Sequence, residues 1–145
     1  MGDRFDLCHE YPLFSDLSAE QMNAVRQLCR EECFYPDYTL FKDGEPATKM
    51  YVLVDGEIEV FFAIGEAGRV KVDLIEPGEI FGCSALVPPF IHTSTVRAKT
   101  RIEVLELDAD ALHKLFEEDP RLAVSIQQHV IRGLLERIVD LRLGP

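Results

Sequence analysis

No apolar run in this sequence approaches the ~20 residues that a membrane-spanning helix needs, and no apolar stretch behind a basic segment opens it. The first residues, MGDRFDLCHEYPLF, carry acids instead. Membrane insertion and a secretory signal are therefore not expected, and the cytoplasm is the expected location. Positive charge is scarce as well: 15 Lys and Arg stand against 26 Asp and Glu, a net charge of −11. A phosphate backbone would on average be repelled by such a surface, and no helix-turn-helix signal follows the apolar C-terminal segment, so direct nucleic-acid binding is not expected. The four cysteines, Cys8, Cys29, Cys33 and Cys83, contain no CxxC pair. That argues against zinc and iron–sulfur centres, and the spacing shows no framework of a small disulfide-stapled fold.

What is present is ordinary globular material. A chain of 145 residues with 47% hydrophobic and 28% charged residues is the size of one domain, and such a chain buries about two thirds of its unfolded surface. One domain over residues 1–145 is the expectation, without internal repeat or linker. Ser18 followed by Gln21 offers a capping box, after which Met22, Val25, Leu28 and Cys29 recur at helical spacing. This predicts a helix over about 18–33, with Cys29 and Cys33 on one buried face.

Tyr35-Pro36-Asp37 breaks the helix, and from Met50 to Leu107 the period changes to two, predicting strands between about 37 and 107. A short strand at Thr39–Phe41 enters the turn Lys42–Glu45. Asp55-Gly56 between two alternating runs predicts a β-hairpin, because such turns need positive φ. A second hairpin is expected around Gly65 to Gly68, joining Val60–Ala63 to Val70–Ile75. Further strands follow at Thr93–Ala98 and Arg101–Leu107. Short strands with frequent turns fit a sandwich, barrel or jelly roll. The last third reads as two helices, about 109–118 and 120–143, with Pro120 at an early helical position where its missing N–H costs nothing. In the second, Ile126, Val130, Leu134, Ile138 and Leu141 form an apolar stripe widened by Ile131, Leu135 and Val139. Its width predicts that part lies on the β domain and part on a partner helix, hence a homodimer.

Several of these segments carry a resemblance. Leu40-Phe-Lys-Asp-Gly44-Glu45-Pro-Ala with Met50-Tyr-Val-Leu-Val-Asp-Gly56-Glu-Ile-Glu-Val60, then Pro77-Gly78-Glu-Ile-Phe81-Gly82, then Thr95-Val-Arg-Ala-Lys-Thr100, resemble the cyclic nucleotide-binding domain family, the β-roll type of catabolite activator protein and protein kinase A regulatory subunits. The resemblance runs over roughly residues 12–143. It implies a mainly β fold with flanking helices: a double-stranded, jelly-roll-like β-roll with one N-terminal and two C-terminal helices. It implies no catalytic residues. In the family a phosphate-binding cassette follows the Phe-Gly pair, and a short helix turns backbone N–H groups toward the cyclic phosphate. A Glu just after the Gly takes the ribose 2′-hydroxyl, and an Arg nine residues later pairs with the phosphate. Carried over, Gly82 matches, Cys83 replaces the Glu and His92 replaces the Arg. No arginine lies between Arg69 and Arg97.

The ligand-binding positions implied are therefore Gly82, Cys83, Ser84, Ala85, His92, Thr93 and Ser94. A carboxylate has become a thiol, and a permanently charged two-pronged donor has become a ring that is mostly neutral near pH 7. Charged hydrogen bonds contribute about 1.5–3 kcal/mol each, so losing both weakens binding by roughly two to four decades. Three outcomes fit: a filled pocket that binds nothing, a different small anion held by the backbone donors at Gly82, Ser84 and Ala85, or weak residual binding of a cyclic nucleotide. A metal or haem at Cys83 and His92 has too few ligands to be expected. His9, His113 and His129 read as surface or helix-face histidines. The functional expectation is a non-catalytic regulatory or sensor module acting through dimerisation or a separate effector protein. The alternatives are a cupin-like metal-dependent enzyme, which needs several barrel histidines where the β segments supply only His92, and a purely structural oligomerisation domain.

Overall fold

The structure is a computed structural model; it describes the backbone of residues 11–63 and 69–143 and the side chains of 11–62 and 73–140. Cys8, His9, the turn around Gly65 to Gly68 and the side chain of Leu141 lie outside the described residues. The chain divides into two compact units, Arg30–Ala109, and Met1–Cys29 with Asp110–Pro145.

The first unit holds the strands. β1 (Cys29–Phe34), β2 (Thr39–Phe41), β3 (Lys49–Asp55), β4 (Ile58–Ala63), β5 (Arg69–Ile75), β6 (Ile80–Phe81), β7 (Thr95–Ala98) and β8 (Ile102–Asp108) form two four-stranded antiparallel sheets, ordered β1-β8-β3-β6 and β2-β7-β4-β5. The expected fold class, mainly β with flanking helices, is found. Leu53, Ile58, Val60, Ile75, Val96, Ala98, Ile102 and Val104, drawn from both sheets, make one buried cluster. At about 25 cal/mol per Å² of apolar surface removed from water, such a cluster is the main term holding the sheets together.

Two expectations are corrected here. The helix predicted over 18–33 stops much earlier: α1 spans Ala19–Arg26, and Cys29–Phe34 is a strand. The capping box does form, Ser18 Oγ accepting from the Gln21 N–H at 3.1 Å while the Gln21 side chain accepts from the Ser18 N–H at 2.9 Å. It starts the helix but says nothing of its length. Cys29–Phe34 is recruited as the edge neighbour of β8, and its backbone partners come from 70 residues downstream, a pairing invisible in a local window. Cys29 is buried and Cys33 exposed, so they do not share one buried face.

The second correction concerns Asp55-Gly56. The turn is there, with Gly56 at φ 94°, yet it does not close a hairpin, because β3 and β4 belong to different sheets. β3 pairs with β8 from Lys49↔Asp108 to Asp55↔Glu103, and β4 pairs with β7 from Ile58↔Ala98 to Phe61↔Thr95. Strands β3–β4 and β7–β8 thus form one long ribbon that bends from sheet to sheet at two adjacent corners. Glu57 O accepts from the Lys99 N–H at 2.9 Å across the bend. A Cβ on Gly56 would strike the Arg101 carbonyl oxygen, so the corner needs glycine for space as well as for φ. The hairpin expected between β4 and β5 is formed, with pairing from Ile58↔Ile75 to Ala63↔Arg69.

The second unit contains α1, most of α2 (Ala109–Glu118), α3 (Pro120–Leu143) and the 3-10 turn Pro12–Phe14. Asp119 Oδ1 accepts from the Leu122 N–H at 3.1 Å, capping α3 with Pro120 at the first helical position. Leu13, Phe14, Met22, Val25, Leu112, Leu122, Ile126 and Val130 are buried. Beyond Val130 the α3 stripe changes character: Ile131, Leu134, Leu135, Ile138 and Val139 are all exposed.

Candidate functional site

The residues expected to form the cassette begin where β6 ends. β6 pairs with β3 through Tyr51↔Phe81 and Val52↔Ile80, and the chain then turns sharply at Gly82, φ 75° and ψ 25°. A Cβ there would lie 3.1 Å from both the Lys49 carbonyl oxygen and Tyr51 Cδ1. Both the left-handed φ and the close approach favour glycine there. A single 3-10 turn follows, Cys83–Leu86. Cys83 and Ser84 are half-buried, and Ala85 is fully buried against Ala47 and Ala109. The Ala85 N–H donates to Gly82 O at 3.2 Å. It is thus already engaged, which leaves fewer free donors than a longer helix start would offer.

The other half of the expected site is arranged differently. Loop 87–92 is tied to the turn that follows β2: the Ala47 N–H donates to Phe90 O at 2.8 Å, the His92 N–H to Glu45 O at 2.9 Å, and the Gly44 N–H to His92 O at 2.8 Å. His92 is only 4% exposed. Its ring lies flat on Phe41, with centroids 3.6 Å apart and 7° between planes. Burial lowers its pKa below the usual 6.5, against an opposing pull from the Glu45 carboxylate, so the ring is neutral near pH 7. Thr93 is exposed and Ser94 half-buried. Gly82, Cys83, Ser84 and Ala85 are thus brought together on one turn, whereas His92 is spent in the aromatic core.

That core holds the residues not foreseen as part of the site. Tyr51 and Phe81 stack at 4.8 Å and 6°, and Phe41 stands 6.1 Å from Tyr51 and 6.4 Å from Phe81. Beside them Glu106, 5% exposed, lies opposite Tyr51 in the β3–β8 register. Its Oε1 accepts from Lys49 Nζ at 3.1 Å. Burial, then the Glu106 and Tyr38 side chains, push the Tyr51 hydroxyl pKa well above its usual 10, keeping it a neutral donor. One signal could have found Glu106: Ile102 and Val104 fix the inward parity of β8, and Glu106 falls on it, a charge at a core-facing position.

The two antiparallel sheets form a β-roll in which β6 ends in a left-handed glycine followed by a single 3-10 turn. A family model, the cyclic nucleotide-binding domain, matches residues 31–119. The chain belongs to the cyclic nucleotide-binding domain family. It is 31% identical over 133 residues to a Rhodopseudomonas palustris protein named for a potassium channel, covering 92% of this chain and 32% of that protein. It is 21% identical to a CRP-like cAMP-activated global transcriptional regulator of Mycobacterium tuberculosis, covering 87% of this chain and 54% of the regulator. The chain therefore spans about half or less of these relatives' lengths. Among solved structures it is similar to a Geobacter metallireducens protein named as cyclic nucleotide-binding, with TM-score 0.85, 25% identity, 94% of this chain and 99% of that one covered. The regulatory domain of Toxoplasma gondii protein kinase A, solved with cAMP, shares the fold at TM-score 0.75 and 20% identity, with 91% of this chain and 48% of that one covered.

Proposed function

We propose that this chain is a non-catalytic regulatory module of the cyclic nucleotide-binding type whose ligand specificity is lost or changed, and which acts through protein–protein contacts. The observation that carries this reading is the fate of His92. Standing where the family has its phosphate-pairing Arg, it is neutral, 4% exposed and stacked on Phe41, and so offers a phosphate no permanent charge. Cys83 likewise brings no carboxylate to a ribose hydroxyl. Residual attraction would come from Gly82, Cys83 and Ser84 on the cassette turn, with Thr93 and Ser94 as polar neighbours.

Communication would run through α3. Its exposed Ile131, Leu134, Leu135, Ile138 and Val139 continue the stripe that is buried up to Val130, and a second copy of the same helix would cover them. A separate effector protein is the other partner this face would fit. Family membership favours this reading over a cupin-like enzyme or a purely structural domain, and the net charge of −11 opposes direct binding to nucleic acid. No helix of the described residues is long and apolar enough to cross a membrane.

The test is calorimetry with cyclic AMP and cyclic GMP on four proteins: the unaltered chain, Cys83→Glu, His92→Arg and the double variant. Weak or absent binding is expected in the first, and a gain in the double variant larger than either single gain, because each correct contact reduces the orientational freedom the other must overcome. Micromolar or tighter binding by the unaltered chain would overturn the reading.

A further inference from the structure

We propose that Gln21 is a joint cap: its one side chain closes the start of α1 and braces the start of α3, so that the two helix starts hold and open as a unit. The amide has two ends, and both are used. Oε1 accepts from the Ser18 N–H at 2.9 Å, completing the capping box, while Nε2 donates to Asp119 Oδ2 at 3.3 Å, 98 residues along the chain. The partners also fix which end is which, because the Ser18 N–H can only donate and a carboxylate can only accept.

The receiving carboxylate is itself a cap. Its other oxygen, Oδ1, accepts from the Leu122 N–H at 3.1 Å, and the Asp119 carbonyl oxygen accepts from the Ala123 N–H at 3.1 Å. The Asp119 N–H donates to Leu115 O at 2.9 Å, so the same residue closes α2. Three helix ends thus meet at one bond between two half-buried side chains. The first N–H groups of a helix have no partner within it and need acceptors. A carboxylate held by a neighbouring N–H keeps the orientation that serves them, through a charge-assisted bond; without that donor it is free to turn toward water. A second contact fastens the segment before α1 to α3 further along, where Asp16 Oδ2 and His129 Nε2 stand 2.7 Å apart. From Asp119 to His129 the helix rises about 15 Å. The start of α3 is thereby fixed against the N-terminal segment, and with it the place at which the helix presents Ile131 to Val139. Gln21 is a positioning residue for α3, and this role does not depend on what the cassette binds.

Hydrogen exchange of the full chain at neutral pH, followed by NMR, reads the joint at the amides of residue 21 and Leu122. The Leu53 amide, bonded to Glu79 O at 2.9 Å, is the reference for global unfolding. Gln21→Glu keeps an oxygen for the Ser18 N–H, as a capping box prefers, but sets a second carboxylate against Asp119. Protection at Leu122 is expected to fall about fivefold to tenfold, the scale of one net hydrogen bond, while the amides of residue 21 and Leu53 hold. Adding Asp119→Asn reverses the direction of the bond: the asparagine N–H donates to the new carboxylate, and its oxygen still caps Leu122. Protection at Leu122 should then return to within about twofold of the unaltered chain, since both caps and the bridge are remade. Urea midpoints of the two single variants and the double give the coupling independently of exchange, and the double should be more stable than the sum of the single effects. The proposal is overturned if Leu122 keeps its protection in Gln21→Glu, if Asp119→Asn fails to restore it, or if the midpoint shifts simply add.

Discussion

Lys49 and Glu106 are an unequal pair, and that inequality sets a measurable order of effects. The Glu106 side chain is 6% exposed and the Lys49 side chain 40% exposed, joined at 3.1 Å. Removing one partner of a fully buried pair costs about 3–5 kcal/mol because the remaining charge is left without compensation; exposed pairs contribute about 0–1 kcal/mol. Lys49→Met strands a carboxylate inside the roll, discounted because the lysine end was open to water, and should cost about 2–3 kcal/mol. Glu106→Gln leaves a lysine that can turn to solvent, and should cost about 1 kcal/mol or less. Urea unfolding followed by circular dichroism gives both numbers; with m near 2 kcal/mol/M, Lys49→Met should lower the midpoint by roughly 1–1.5 M. The combined Lys49→Met, Glu106→Leu variant should recover most of that loss, since no charge remains to be stranded. If Glu106→Gln proves as costly as Lys49→Met, the assignment of the penalty to an uncompensated carboxylate is wrong.

Other outcomes follow from single features of the fold. Gly56→Ala must hold φ near 94° and press its Cβ on the Arg101 carbonyl, so a loss of roughly 2–4 kcal/mol is expected in the same unfolding assay; a neutral result would mean the ribbon corner can shift. Asp119→Ala removes the side chain that accepts from the Leu122 N–H and should cost about 1 kcal/mol, which Asp119→Ser should largely restore. Leu134→Asp with Ile138→Asp should turn a sedimenting dimer into a monomer without lowering the melting temperature of the dilute protein; an unaltered chain that is monomeric at high micromolar concentration would defeat the assignment of α3 as the contact.

Much of this protein was determined locally. The capping box at Ser18 and Gln21, the turns at Gly44, Gly56, Gly78 and Gly82 and the apolar stripe of α3 rest on contacts within a few residues or on a φ that favours glycine, and those signals are carried by the residues themselves. Cys83 and His92 were picked out through the family resemblance, which implies a Glu and an Arg at those positions. Tertiary structure decided the rest. Whether Cys29–Phe34 continued a helix or became a strand depended on the unpaired edge of β8, more than 70 residues away. Whether Asp55-Gly56 closed a hairpin depended on Lys99–Arg101 bending beside it, so that both strands change sheets together. His92 had two destinations open to it, a phosphate or the core. The 3.6 Å stack on Phe41 was settled by the three backbone bonds that carry loop 87–92 onto the turn after β2, long-range pairings whose energy no local pattern encodes.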